Sequence, residues 1–330
     1  MTVLVTGATG FLGSVLAAAL HDQGADVIAT GRNQSALDRL AARGIRTVPL
    51  DLAHPVPQCD ADRIGPLDAV VHCAGLSSPW GSRAQFMAGN VDATRHIADL
   101  AERAGSARFV MISTGSVYFR FADQDRLAET QVLPPPVNHY ALTKQLAEQD
   151  VLRRAPLSPV VIRPRGIYGA GDTALLPRLM RVAAKRPLPR FAQDGATDIT
   201  HVDDVVAAII KALEAGPDLS GQIINITGGG GIALPDIIEA ACAATGVPLR
   251  WLRLPFGPVL SAARAMEAGA KLLPGRPEPP VTAYSLGILR YRQTLDIAKA
   301  ATLLGWTPQV SFEDGLRRTF KDGAMRPGVI

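Results

Sequence analysis

The chain has 330 residues, 47% of them hydrophobic and 19% charged, which excludes a disordered polar tail and leaves enough apolar side chain for a large core. Its 34 Lys and Arg against 30 Asp and Glu give a net charge of +4 with no basic stripe, and aromatics make up only 5%, so no nucleic-acid partner is expected. Cys59, Cys73 and Cys242 have no C-x-x-C spacing, so neither a disulfide scaffold nor a metal site is expected, and Cys73 reads as a core thiol.

The first half alternates short apolar runs with helical patterns. Val3–Thr6 reads as a buried strand, Phe11–Gln23 as a helix with a small-residue face, Asp26–Thr30 as a strand and Gln34–Arg43 as a helix. Strands follow at Thr47–Leu50, Ala69–His72, Phe109–Ser113 and Val160–Arg163, with helices at Phe86–Ala104 and Tyr140–Arg153. This alternation predicts βαβ units and a parallel sheet covered on both faces. After Pro164 the pattern loosens. Val202–Leu213 reads as a helix and Gln222–Ile226 as a strand that returns to the sheet. Gly228–Gly231 lacks the Lys and Ser/Thr of a P-loop and reads as a turn. Residues 250–285 are Pro-rich and irregular around a helical stretch, Val259–Leu273. No apolar run is long enough for a membrane span and no signal peptide is read, so a cytoplasmic protein is expected.

Thr6-Gly7-Ala8-Thr9-Gly10-Phe11-Leu12-Gly13 follows the first strand and opens the first helix. Gly7 permits the sharp turn, Gly10 lets the backbone approach a pyrophosphate, and Gly13 allows close helix–strand packing. The helix N-terminus offers N–H groups and a positive dipole end to phosphates. Thr9, Phe11 and Leu12 belong to the same candidate dinucleotide site. The second strand ends Thr30-Gly31-Arg32-Asn33, without the carboxylate that would bind the ribose hydroxyls of NAD. Arg32 suits a phosphate, so NADP is expected over NAD; the alternative is a merely solvated Arg32. Asp51 and Leu52 are placed for the adenine.

Tyr140 and Lys144 share a helix face at i and i+4. Such a pair arises by chance on many helices, but a neighbouring ammonium also lowers a phenol's pKa and suits it to acid–base work. Thr114 adds a hydroxyl at the carboxyl edge of the sheet, where ligands bind in doubly wound folds.

Taken together, the glycine loop, Ser113-Thr114-Gly115-Ser116-Val117-Tyr118, Tyr140 and Lys144 resemble the extended short-chain dehydrogenase/reductases, of the NAD-dependent epimerase/dehydratase superfamily. The resemblance covers nearly the whole chain. It extends to His72-Cys73-Ala74-Gly75, to Asn90-Val91-Asp92-Ala93-Thr94 with Ala93 for the usual glycine, and to Ile162-Arg163-Pro164 and Ile167-Tyr168-Gly169. It continues through His201-Val202-Asp203-Asp204-Val205, Asn225-Ile226, Leu295–Ala300 and Leu304-Gly305-Trp306. The resemblance implies an α/β, Rossmann-type doubly wound parallel sheet with a smaller, mostly helical C-terminal substrate domain. Residues 1–165 plus about 200–227 would bind NADP, and about 166–199 and 228–330 would form a discontinuous cap.

The implied catalytic residues are Tyr140 as proton donor or acceptor, Lys144 on the nicotinamide ribose and lowering the Tyr140 pKa, Thr114 on the substrate oxygen, and Asn90 behind a water relay. A mid-helix Asn90 that only satisfies backbone groups is the alternative. Cys73, Ala74, Gly75, Pro164, Gly166 and Ile167 are implied on the cofactor side. His201 and Asp203 or Asp204 are expected to order a helix, Tyr118 to wall the pocket, Trp306 to lie in the core, and the protein to form a homodimer.

Within the family, Gly115-Ser116 stands where sugar dehydratases carry Asp-Glu, which disfavours dehydration. Arg163–Asp172, Leu175-Leu176-Pro177 and Glu278–Thr282 resemble the branch of 3β-hydroxysteroid dehydrogenases and 2-alkyl-3-oxoalkanoate reductases. The resemblance thus implies hydride transfer between the nicotinamide and an apolar 3-oxo or 3-hydroxy small molecule. The alternatives are a nucleotide-sugar epimerase with tightly held cofactor and a non-catalytic NADP sensor or scaffold. Leu252–Leu273 reads either as an apolar lid, with peripheral membrane contact, or as an ordinary surface helix.

Overall fold

In the computed structural model, which describes residues 1–320, alternate residues of β1 (Thr2–Thr6) face opposite cores, Val3 and Val5 on one side and Leu4 on the other. Positions 321–330 of the expected cap lie outside the described residues. β1 is joined by β2 (Asp26–Gly31), β3 (Arg46–Pro49), β4 (Ala69–His72), β5 (Arg108–Ile112), β6 (Pro159–Pro164) and β7 (Gln222–Ile226). They form one seven-stranded sheet in the order β7-β6-β5-β4-β1-β2-β3, with every pairing parallel. Unbroken apolar runs such as Val160–Ile162 are what a strand buried on both faces requires.

The helices are α1 (Phe11–Asp22), α2 (Gln34–Ala41), α3 (Gln58–Ile64), α4 (Arg83–Phe86), α5 (Ala93–Arg103), α6 (His139–Leu152), α7 (Leu176–Lys185), α8 (Val202–Glu214), α9 (Leu234–Thr245), α10 (Phe256–Leu272), α11 (Ala283–Arg290), α12 (Ala298–Leu304) and α13 (Phe312–Phe320). α1, α8 and α12 cover one face of the sheet through Leu16, Leu20, Val205, Ile209 and Ala300. α3, α5 and α6 cover the other through Ile64, Ile97, Ala147 and Val151. This is the expected doubly wound α/β fold. The C-terminal region is largely helical: α7, α9 and α13 share a separate cluster built on Leu176, Met180, Ile238 and Leu316. Among the described residues no helix is long and apolar enough to cross a membrane.

The helix expected at Phe86–Ala104 comes in pieces. α4 leads into a π-helical turn, Met87–Asp92, and only then into α5. The wider turn changes the helical phase at Asn90, a distortion often found at functional sites. The helix expected from Val259 starts at Phe256. His201 caps α8 as expected, its ring accepting from the Asp203 N–H. Asp204 ties down the returning chain: its carboxylate accepts from the Gln309 and Val310 N–H groups, and its carbonyl accepts from the buried Trp306 indole at 3.0 Å.

His72 joins β4 to β1 and α5, with ring nitrogens 2.8 Å from Thr6 Oγ1 and 3.0 Å from Thr94 Oγ1. Thr94 donates its own proton to the Asn90 carbonyl, so His72 Nε2 is the donor to Thr94. Burial lowers its pKa to about 3, with the Lys144 charge adding to the effect. Below about pH 6.5 the unfolded chain therefore takes up a proton that the folded chain refuses, and stability falls with falling pH by about 1.4 kcal/mol per unit from this group. Urea midpoints compared at about pH 7 and about pH 5 are expected to drop for the natural chain, and to drop less for His72→Gln.

Candidate active site

β1 delivers the chain into a loop pressed against the turn after β4. Gly7 has φ 66°, and a Cβ there would lie 2.7 Å from the Ala74 nitrogen. A Cβ on Gly13 would lie 2.3 Å from the Gly7 carbonyl oxygen. Both positions are therefore closed to any larger residue. The crevice lies between β1 and β4, where the strand order reverses and doubly wound folds bind ligands. α1 begins there with no side-chain cap and no acidic residue in its first turn, so its N–H groups and dipole remain available to an anion. The loop fits the pyrophosphate of a dinucleotide.

At the end of β2, Gly31 lies against Thr9, whose Oγ1 would be 2.4 Å from an added Cβ. Arg32 is exposed and forms no ion pair among the described residues. Asp51 is exposed and accepts from the Ala53 N–H, while Leu52 is buried. Pro164 is buried at the end of β6; Gly166, at φ 58°, turns the chain into Ile167, which pairs with Thr200.

The expected acid–base residues meet at the carboxyl edge of β5. Thr114 caps a short 3-10 turn, Gly115–Tyr118, and its hydroxyl accepts from the Ser116 N–H at 3.1 Å. It lies close enough to the Tyr140 phenol to favour the phenol's ionised form. Asn138 caps α6 just ahead of Tyr140, accepting from the Ala141 N–H at 2.8 Å, and so sets the start of the helix that carries Tyr140 and Lys144. Burial pushes the Tyr140 phenol up to about 12, partly offset by the Thr114 hydroxyl and the Arg165 charge. Lys144 follows one helical turn after Tyr140. Its ammonium donates to the Ile112 carbonyl at 2.7 Å, and burial lowers its pKa to about 8 against the raising influence of Glu148.

Gly75 brings the cofactor-side turn onto these groups: a Cβ there would lie 3.0 Å from Asn90 Oδ1 and 3.3 Å from Lys144 Nζ. Asn90 does satisfy backbone groups, accepting from the Leu76 N–H at 2.7 Å, and it also donates to Thr143 Oγ1 at 2.9 Å. It thereby links the turn after β4 to α6. Cys73 is only partly buried, packed against the core rather than within it as expected, and burial raises its pKa to about 12.

Behind Lys144 lies a buried ionic network that the sequence did not reveal. Arg163 donates to both oxygens of Glu148, from Nε at 2.9 Å and Nη2 at 2.6 Å, and both side chains are almost fully buried. Ser113 donates to the same carboxylate. Tyr118 belongs here and not in a pocket wall: it is 1% exposed, accepts from Arg163 at 2.6 Å and donates to Asn225 at 3.0 Å. The 3-10 turn after Thr114 directs the ring inward, and residue spacing alone does not report that direction.

On the outer side, Arg165, Ser116 and Tyr284 gather beside Tyr140. Tyr284 also lines a cavity of about 740 Å³ together with Trp80, Phe86, Phe121, His139 and Leu142. The Phe86 and Tyr140 rings are 6.5 Å apart. α10 overlies this cavity, but through Arg264, Glu267 and Lys271. Its Phe256 and Val259 pack on Phe191 and Leu286, and Met266 and Leu272 are exposed. The cavity-facing side of this helix is thus charged.

The profile of the NAD dependent epimerase/dehydratase family matches residues 3–227. The 2-alkyl-3-oxoalkanoate reductase of Stenotrophomonas maltophilia is 33% identical over 333 residues, covering 96% of this chain and 98% of the relative. A Stigmatella aurantiaca protein, 4-hydroxy-2-methyl-3-oxo-4-farnesyl-3,4-dihydroquinoline-1-oxide ketoreductase, is 30% identical over 335 residues, covering 100% of this chain and 99% of the relative. Among solved structures, UDP-glucose 4-epimerase of Thermotoga maritima matches with a TM-score of 0.77 over 98% of this chain and 100% of that one. At 22% identity that match speaks to the fold alone.

Proposed function

The chain belongs to the NAD dependent epimerase/dehydratase family and is an NAD(P)-dependent oxidoreductase, and from that premise we propose that it is an NADP-dependent reductase of an apolar 3-oxo compound, or the reverse dehydrogenase. The observation that carries this reading is that Thr114 and Tyr140 come together at the sheet edge, next to a cavity with aromatic walls. The names of the two relatives, both 3-oxo reductases, support the substrate class.

The loop Gly7–Gly13 with Thr9, Phe11 and Leu12 would hold the pyrophosphate, Arg32 the adenosine phosphate, and Asp51 and Leu52 the adenine. Cys73, Ala74, Gly75, Pro164, Gly166, Ile167 and Lys144 would surround the nicotinamide riboside. The bound nicotinamide supplies hydride to, or takes it from, the substrate carbon. Thr114 and Tyr140 hold the carbonyl oxygen, and Tyr140 gives it a proton. Lys144, held by the Ile112 carbonyl beside Asn90, reconnects the phenol to solvent. Residues 1–165 plus about 200–227 form the cofactor unit in this reading and the remainder the cap, in a cytoplasmic homodimer.

NADPH consumption on a panel of ketones tests the proposal. A nucleotide-sugar epimerase would instead retain its cofactor and show no net change in nicotinamide absorbance. Arg32→Ala is expected to weaken NADPH binding by roughly tenfold to a hundredfold, the range for a lost charge-assisted contact, and to leave NADH nearly unaffected. Equal weakening of both cofactors, measured by titration, would remove Arg32 from the phosphate site.

A further inference from the structure

We propose that Arg165, with the hydroxyls of Ser116 and Tyr284, forms a subsite for a carboxylate that the substrate carries beside its reacting carbonyl. The inference rests on the reductase reading and narrows its substrate to an oxo acid.

Arg165 is 7% exposed, yet among the described residues no carboxylate lies within ion-pairing distance of it. Its Nε donates to Thr197 Oγ1 at 2.9 Å and its Nη1 reaches Ser116 Oγ at 3.4 Å, both neutral partners. Asp198 is close enough to feel the charge, but its two oxygens accept from the Gly231 and Leu295 N–H groups at 3.1 and 2.7 Å. Burial of a guanidinium is costly unless a carboxylate compensates it. The same chain shows the usual solution two residues earlier, where Arg163 is paired to Glu148 through two nitrogens. Arg165 has that burial without that partner.

The side chain is also placed. Its stem packs on Gly115, where a Cβ would lie 3.2 Å from Arg165 Cδ. Its charge reaches the Tyr140 phenol. Tyr284 donates to Ser116 Oγ at 2.9 Å and lines the cavity, so the cluster stands between the acid–base pair and the space for the rest of the substrate. A carboxylate on the carbon next to the carbonyl meets both demands at once: the carbonyl oxygen on Tyr140 and the anion on a planar guanidinium that matches it.

The test uses the full-length protein and NADP in the oxidation direction, with a 3-hydroxyalkanoate and its methyl ester as substrates. UDP-glucuronic acid, whose carboxylate comes from a sugar, serves as a separate arm. Wild type is expected to favour acid over ester in kcat/KM by about a hundredfold, the scale for a desolvated charge pair. In Arg165→Gln that ratio is expected to fall toward one, with Arg165→Lys intermediate and Tyr284→Phe reduced several-fold. NADPH affinity measured on each variant confirms that it is folded.

A wild-type ratio near one, or a ratio that survives Arg165→Gln, would overturn the subsite while leaving the reductase standing. So would turnover of uncharged ketones with none of the acid. Silence on every ketone and alcohol would instead overturn the reductase reading and the subsite with it. Epimerisation of UDP-glucuronic acid that Arg165→Gln abolishes would uphold the carboxylate site and overturn the reductase reading.

Discussion

Tyr140→Phe is expected to lower kcat by about a thousandfold, within the range that a positioned acid contributes, while NADPH affinity changes less than about threefold. The substitution removes one oxygen and keeps the ring, which packs beside Phe86. The phenol's high pKa, about 12 and set mainly by burial, leaves it protonated at neutral pH. Tyr140 is therefore ready to donate in the reduction direction. In the oxidation direction the phenolate is needed, so alcohol oxidation is expected to accelerate as pH rises. Steady-state rates in both directions, with cofactor titration on the variant, check both statements; a Tyr140→Phe enzyme that retains normal kcat would remove the phenol from the mechanism.

The second large effect falls on stability. Glu148→Gln keeps the side-chain shape but leaves the Arg163 guanidinium, 2% exposed, without its counter-charge. Breaking a buried pair from one side costs about 3–5 kcal/mol, a large fraction of the stability of an ordinary domain. The urea midpoint is expected to fall accordingly, and the double replacement Glu148→Leu with Arg163→Met to recover much of the loss. Glu148 also holds up the pKa of Lys144 against burial. In Glu148→Gln, the ammonium is expected to lose its proton at a pH below about 8, so activity that depends on Lys144 falls off earlier on the alkaline side. Recovery of the midpoint without recovery of the pH profile would separate the structural role from the effect on Lys144.

The parallel sheet was legible because its strands are buried on both faces: Val3–Val5 and Val160–Ile162 are apolar throughout, and the glycines at 7, 10 and 13 mark a sharp βα turn. Thr114, Tyr140 and Lys144 were legible as candidates because the strand end and the i, i+4 spacing coincide with the motifs of a family that the chain resembles. The π turn at Asn90 was not, since it depends on how Leu76 and Thr143 share one amide. Tyr118 and Arg165 were missed for a related reason. Both follow a strand end, and the direction of a side chain there is set by Arg163, Asn225, Ser116 and Thr197, which come from distant parts of the chain. The Arg-Pro-Arg run at 163–165 was the available signal, with two guanidinium groups bracketing the end of a buried strand.

The order of strands in the sheet has a consequence for biosynthesis. β7 closes the sheet against β6, but α7 and α8 are made between them. As the chain leaves the ribosome, the apolar edge of β6 waits without a partner while those segments emerge, and such an edge is a template for pairing with other chains. The Trp306–Asp204 contact that pins the returning segment forms later still. A nascent chain ending near residue 165 therefore exposes the edge of an unfinished sheet, and the window of greatest aggregation risk closes only when residues 222–226 have been synthesised and docked.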